Sequence, residues 1–161
     1  MVVMLDALRD FVRRFGAQET EVHFSADDSR LAVAALLVHS MTIDGATSDA
    51  ERAKLEDLLT RRFGISGPDL ELLVKDATEA ENDAVDLYRF TSVLKRQMSE
   101  EERIRVIENL WEIAYADGAT HEFEENLVWR VAELLGVTAR DRISRKLFVA
   151  ENKSVGRDNG D

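Results

Sequence analysis

Cysteine is absent from this chain. That excludes disulfides, thiolate metal sites, iron–sulfur clusters and cysteine nucleophiles; it makes a reducing cytoplasm the expected compartment and leaves oxygen or imidazole as the ligands of any metal. One proline and 8 glycines in 161 residues leave few breakers, and alternating β-branched runs are scarce, so the chain reads as helices joined by short turns. Positive charge is short as well: 21 Lys and Arg face 32 Asp and Glu, a net charge of −11, with no basic, aromatic-interleaved face. Nucleic-acid binding is therefore not expected. No apolar run approaches the ~20 residues of a membrane span. The opening Met1-Val2-Val3-Met4-Leu5-Asp6 lacks the basic start, long apolar core and cleavage site of a secretory signal. A soluble, cytoplasmic protein follows as the expectation.

The length suits one domain with its own core. An N-terminal amphipathic helix is expected within residues 1–16, with Leu5, Leu8, Val12 and Phe15 on one stripe and Gly16 ending it. After a polar loop, Asp28 or Ser29 caps a helix whose segment Leu31 to Val38 is apolar on every side, the pattern of a surrounded central helix. Leu55, Leu58, Leu59 and Phe63 mark the inward face of the next helix, stopped by Gly64. Ser66-Gly67-Pro68 opens another, with Leu70, Leu73, Val74 and Ala77 inward. The acidic stretch from Glu79 to Asp86 reads as a solvated helix end and turn. Leu87, Phe90, Leu94 and Met98 define a further helix, and Ser99 with Glu102 forms a capping box for one that buries Ile104, Ile107, Leu110, Trp111 and Ala114. Phe123, Leu127, Val128, Val131, Leu134 and Leu135 follow, closed by Gly136. A last helix is expected from about Ala139 to Glu151, and residues 152–161 read as a disordered tail. The fold class is thus all-α: a compact single-domain bundle of seven to eight helices, its main body spanning residues 29–150.

One signature occurs twice. Asp44-Gly45-Ala46-Thr47-Ser48-Asp49-Ala50-Glu51 aligns with Asp117-Gly118-Ala119-Thr120-His121-Glu122-Phe123-Glu124, and Gly64-Ile65-Ser66 answers Gly136-Val137-Thr138 after a one-residue slip. Two helices and their connecting turn have been duplicated. Helix capping explains much of the motif: the aspartate ends a helix, glycine supplies a left-handed residue, and Thr or Ser caps the next helix, with Ser48 and Glu51 forming a capping box. A carboxylate at a helix C-terminus nevertheless opposes the helix dipole, at a cost of about 0.3–1 kcal/mol. Two compensations stay open. Either the aspartate accepts backbone N–H groups at the corner, or Asp44, Asp49, Glu51, Asp117, Glu122 and Glu124 supply oxygen ligands to a divalent cation, with Ca²⁺ or Mg²⁺ favoured by that ligand set. The spacing is not that of an EF-hand, since glycine directly follows the first aspartate, so any ion site is assembled from two segments or both repeats. His121 would turn the preference toward Zn²⁺ or Mn²⁺ if it ligated, although a turn histidine is more often solvent exposed. His39 reads as a hydrogen-bonded core or boundary residue.

These residues also carry a resemblance. A helix ending in Ala114-Tyr115-Ala116-Asp117-Gly118 with Glu122 and Glu124 behind it, echoed by Thr42-Ile43-Asp44-Gly45 with Asp49 and Glu51, resembles the TerB-like family of tellurite-resistance proteins over roughly Ser29 to Phe148. The resemblance implies a bacterial helical bundle with an acidic, metal-binding surface, linked to tellurite resistance and stress responses. It also implies a role as an interaction or sensing unit; an unidentified protein partner is expected, and homodimerisation stays open.

No catalytic signature accompanies it. Gly-x-Ser-x-Gly, P-loop, Gly-x-Gly-x-x-Gly and His-Glu-x-x-His patterns are all missing, so a non-enzymatic role is expected over a metal-dependent hydrolase. Trp111 and Trp129 read as packing anchors, with Trp129 a candidate for partial exposure. The rival to cation binding is an interaction module whose acidic face docks a partner while the Asp-Gly turns are architectural.

Overall fold

A helix that is apolar all round has no face to give to water, and Leu31 to Val38 is such a segment. In the computed structural model, which describes residues 24–43, 47–83, 87–116 and 122–158, all eight of these residues are buried. They belong to α1, Ser29–Thr42. The other helices are α2, Asp49–Phe63; α3, Gly67–Asp83; α4, Leu87–Gln97; α5, Glu100–Ala114; α6, Glu122–Leu135; and α7, Ala139–Asp158. The described residues thus form an all-α bundle. Helix α1 packs on α2, α3, α4 and α5, and α5 in turn on α2, α6 and α7. The two innermost helices are therefore the first helices of the two repeat copies. Each large side chain fully removed from water here, such as Leu37, Leu110 or Trp111, contributes about 1.5–3 kcal/mol.

The helix ends follow local chemistry. Asp28 caps α1 by accepting the Arg30 N–H at 2.9 Å. The Arg30 guanidinium returns two hydrogen bonds to the same carboxylate, at 3.1 and 2.8 Å, and lies 4.8 Å over the Phe24 ring. That hydrogen-bonded guanidinium is the main reason the Asp28 carboxyl is held below its ordinary range, against a smaller opposing effect of burial. Gly64 and Gly136 end α2 and α6 with φ of 64° and 71°, the left-handed region where a Cβ is costly. Ile65 and Val137 directly after them are both buried, a hydrophobic contact typical of such stops. Thr138 caps α7 by accepting the Asp141 N–H at 3.1 Å. The duplication thus extends from the motif through the helix to its stop signal.

Several expectations are corrected. Helix α7 runs through Asn152 to Asp158, where a disordered tail was expected. Helix α3 ends within the acidic stretch, at Asp83, as expected, but Glu81 is not merely solvated: its Oε1 lies 2.9 Å from His39 Nδ1. His39 accordingly takes the hydrogen-bonded boundary role expected of it. Phe63, Leu70, Val74, Ile104 and Leu134 are only half-buried. Asp76, which the apolar stripe of α3 did not flag, is buried and accepts the Phe24 N–H at 3.3 Å. The expected helix at residues 1–16 lies outside the described residues.

Candidate functional site: the duplicated acidic corners

Each copy of the motif feeds a helix. In the first, Ser48 sits at the N-cap of α2 with extended backbone and accepts the Glu51 N–H at 3.1 Å. Its hydroxyl then donates to Glu51 Oε1 at 3.3 Å, so the glutamate returns to the cap through the hydroxyl. Asp49, one residue past the cap, is exposed. Glu51 is only 1% exposed. In the second copy α6 starts at Glu122, and Glu124 is likewise 1% exposed.

A charged residue that sits at a helix start to please the dipole does so from the surface. Glutamate is almost never fully buried unless it is paired or hydrogen-bonded, and both members of this duplicated pair are buried and engaged by other groups. Capping accounts for Ser48 and for one oxygen of Glu51. It does not by itself require that the carboxylates be sealed from water.

Of the six candidate ligands, Asp44 and Asp117 lie outside the described residues, as does His121; for Glu122 only the backbone is described. Among the described residues no group of three or more acidic or histidine side chains is close enough to hold a metal ion. The described ligands therefore divide into an exposed aspartate and two buried glutamates.

A groove of about 710 Å³ is lined from α2, α5 and α7 and the two residues after α5. Ala50, next to Asp49, lines one end, and Tyr115 and Ala116, which precede Asp117, line it too. The groove thus takes Ala50 from the first motif and the residues just before the second. Its wall is tied by ion pairs: Glu112 Oε2 accepts from Arg61 at 3.2 Å and from Lys54 at 3.5 Å, while Arg61 also meets Asp57 at 3.0 Å. These pairs are partly exposed, so each is worth at most about 1 kcal/mol. Deeper on the same helices, Arg62 donates to Asn109 Oδ1 at 2.8 Å and to the Glu102 carbonyl at 3.2 Å. Burial, with nearby Arg105 adding to it, pulls the Arg62 guanidinium below its ordinary value. The sequence carries little sign of this groove beyond the small residues Ala50 and Ala53 on the outer side of α2.

An all-helical bundle built on two copies of an acidic hairpin is the class of protein defined so far. The chain belongs to the tellurite resistance protein TerB family, whose match covers residues 30–147. No curated protein and no solved structure matches it. Among the described residues no helix is long and apolar enough to cross a membrane.

Proposed function

We propose that this TerB-family protein is a non-catalytic binder of a divalent cation, acting in a tellurite-resistance or stress-response setting. The observation that carries the reading is the pair Glu51 and Glu124: equivalent in the duplication, both glutamates, and both 1% exposed. Buried carboxylates are stabilised by pairing, hydrogen bonding or a bound cation. Glu51 and Glu124 would supply inner oxygens, with Asp44 and Asp117 from the preceding turns and Asp49 and Glu122 at the rim. An all-oxygen set of this kind suits Ca²⁺ or Mg²⁺, and participation of His121 would favour Zn²⁺ or Mn²⁺. The ion would neutralise the clustered charge and join each turn to the helix behind it. An acidic surface disfavours direct capture of an oxyanion, so any part in tellurite resistance is indirect, through signalling or assembly.

Thermal unfolding with each of the four ions, on wild type and on Asp44→Asn combined with Asp117→Asn, tests the reading. The midpoint of wild type should rise with one ion beyond a charge-screening control, and the double variant should lose that rise. If no ion raises the wild-type midpoint, cation binding is lost. The second reading, an interaction module with architectural turns, is favoured by the groove between α2, α5 and α7 and would then take its place.

A further inference from the structure

Large apolar side chains left in water on one helix mark a surface that another element covers. Helix α7 carries three: Ile143, 48% exposed; Leu147, 59%; and Phe148, 42%. Its inner side is already committed to the bundle. There Val149 is buried, the Arg142 carbonyl accepts from Trp111 Nε1 at 3.1 Å, and Lys146 reaches Glu125 at 2.6 Å.

The outer side has an order of its own. Arg140, Ser144, Leu147 and Glu151 follow one another at spacings of four, three and four, all exposed, which is the spacing of a helix–helix seam. Ile143 and Phe148 flank that seam. It is basic at its N-terminal end, acidic at its C-terminal end, and apolar with one small residue between. Laid antiparallel on a second copy of itself about a midpoint between Arg145 and Lys146, such a stripe is self-complementary. Arg140 then meets Glu151 of the partner subunit and small Ser144 receives Leu147 of the partner subunit, while Ile143 and Phe148 border opposite edges of the seam. Each contact occurs twice, as a two-fold axis requires. A parallel pairing would set arginine against arginine and glutamate against glutamate.

We propose that α7 is a dimerisation helix that packs antiparallel on α7 of a second copy of this chain, in the register that pairs Arg140 with Glu151. Phe148 also lines the groove between α2, α5 and α7, so the dimer would cover one rim of that groove. The proposal goes beyond cation binding and does not depend on it.

Analytical ultracentrifugation of the full chain tests it, in chelator so that the ion question is kept apart. Wild type should sediment as a concentration-dependent dimer of the 18.2 kDa chain. Leu147→Glu should weaken association about tenfold or more. Arg140→Glu should also weaken it, and combining Arg140→Glu with Glu151→Arg should restore it, because the swap rebuilds the pair only across an antiparallel seam. A wild type that stays monomeric overturns the proposal. So does a monomer whose melting temperature falls on Leu147→Glu, which would place the cover within the chain. A dimer indifferent to Leu147→Glu, or one that the charge swap does not rescue, overturns the face and the register respectively.

Discussion

Glu51 and Glu124 hold one place in the two halves of the bundle: each is the third residue of its helix, and each is 1% exposed. Their helices end alike, at Gly64 and Gly136 in left-handed conformation, so the correspondence runs the length of both elements. Removing either carboxylate should leave buried polar partners unsatisfied. Glu51→Ala and Glu124→Ala are each expected to cost about 1–3 kcal/mol in urea unfolding, while exposed Asp49→Ala should cost below about 1 kcal/mol. Equal, small effects at all three positions would contradict this division.

The cap of α1 carries a pH dependence. Asp28 is held below its ordinary value of 3.8, chiefly by its hydrogen bond with the Arg30 side chain. A carboxyl depressed in the folded state adds stability that is fully present above its ordinary value and fades as pH falls through the depressed one. Asp28→Ala should therefore cost about 1 kcal/mol at neutral pH, and the difference from wild type should shrink on acidification below about pH 4. Unfolding curves of both proteins from neutral to acidic pH give the comparison.

The two tryptophans should report separately. Trp111 is 1% exposed and Trp129 49% exposed. With Trp129→Phe the remaining emission should be blue-shifted and resist quenching by acrylamide. With Trp111→Phe it should be red-shifted and quench readily. The second variant should also be less stable by about 1–3 kcal/mol, since the Arg142 carbonyl loses the indole N–H that reaches it at 3.1 Å.

At Gly136, with φ of 71°, any side chain is strained. A Cβ there would also stand 3.5 Å from an Arg103 guanidinium nitrogen, which itself holds the Leu135 carbonyl at 2.7 Å. Gly136→Ala should cost about 1–2 kcal/mol. The equivalent change at Gly64, with φ of 64°, should cost a similar amount, since a Cβ meets nothing within 4 Å there and only an ordinary contact at Gly136.

Much of this bundle was legible because its signals are local. The all-round apolar run of α1, the serines and aspartate at helix starts and the glycines that stop α2 and α6 act over a few residues and appear where the pattern puts them, whereas Gly16, Gly45 and Gly118 lie outside the described residues. The membership of Asp76 in the core was not legible: an aspartate on a helix carries no mark that a distant N–H, that of Phe24, will meet it. The same holds for Glu81, whose partner His39 lies 42 residues away. The full length of α7 was not legible, since Asn152, Ser154 and Gly156 are weak helix formers, yet the helix continues to Asp158. Within the candidate site, spacing marked Glu51 and Glu124 as acidic residues at a helix start but gave no sign that they would be buried. That burial is a tertiary property, set by how the hairpins pack.

The most direct measurement is a calorimetric titration of Ca²⁺, Mg²⁺, Mn²⁺ and Zn²⁺ into chelator-stripped protein, repeated on Asp44→Asn with Asp117→Asn and on Glu51→Gln with Glu124→Gln. Saturable binding of one of these ions to wild type, abolished or weakened about tenfold or more in both double variants, is the expected result. Absence of saturable heat in wild type, or binding that both double variants retain in full, would contradict a cation site at the duplicated corners.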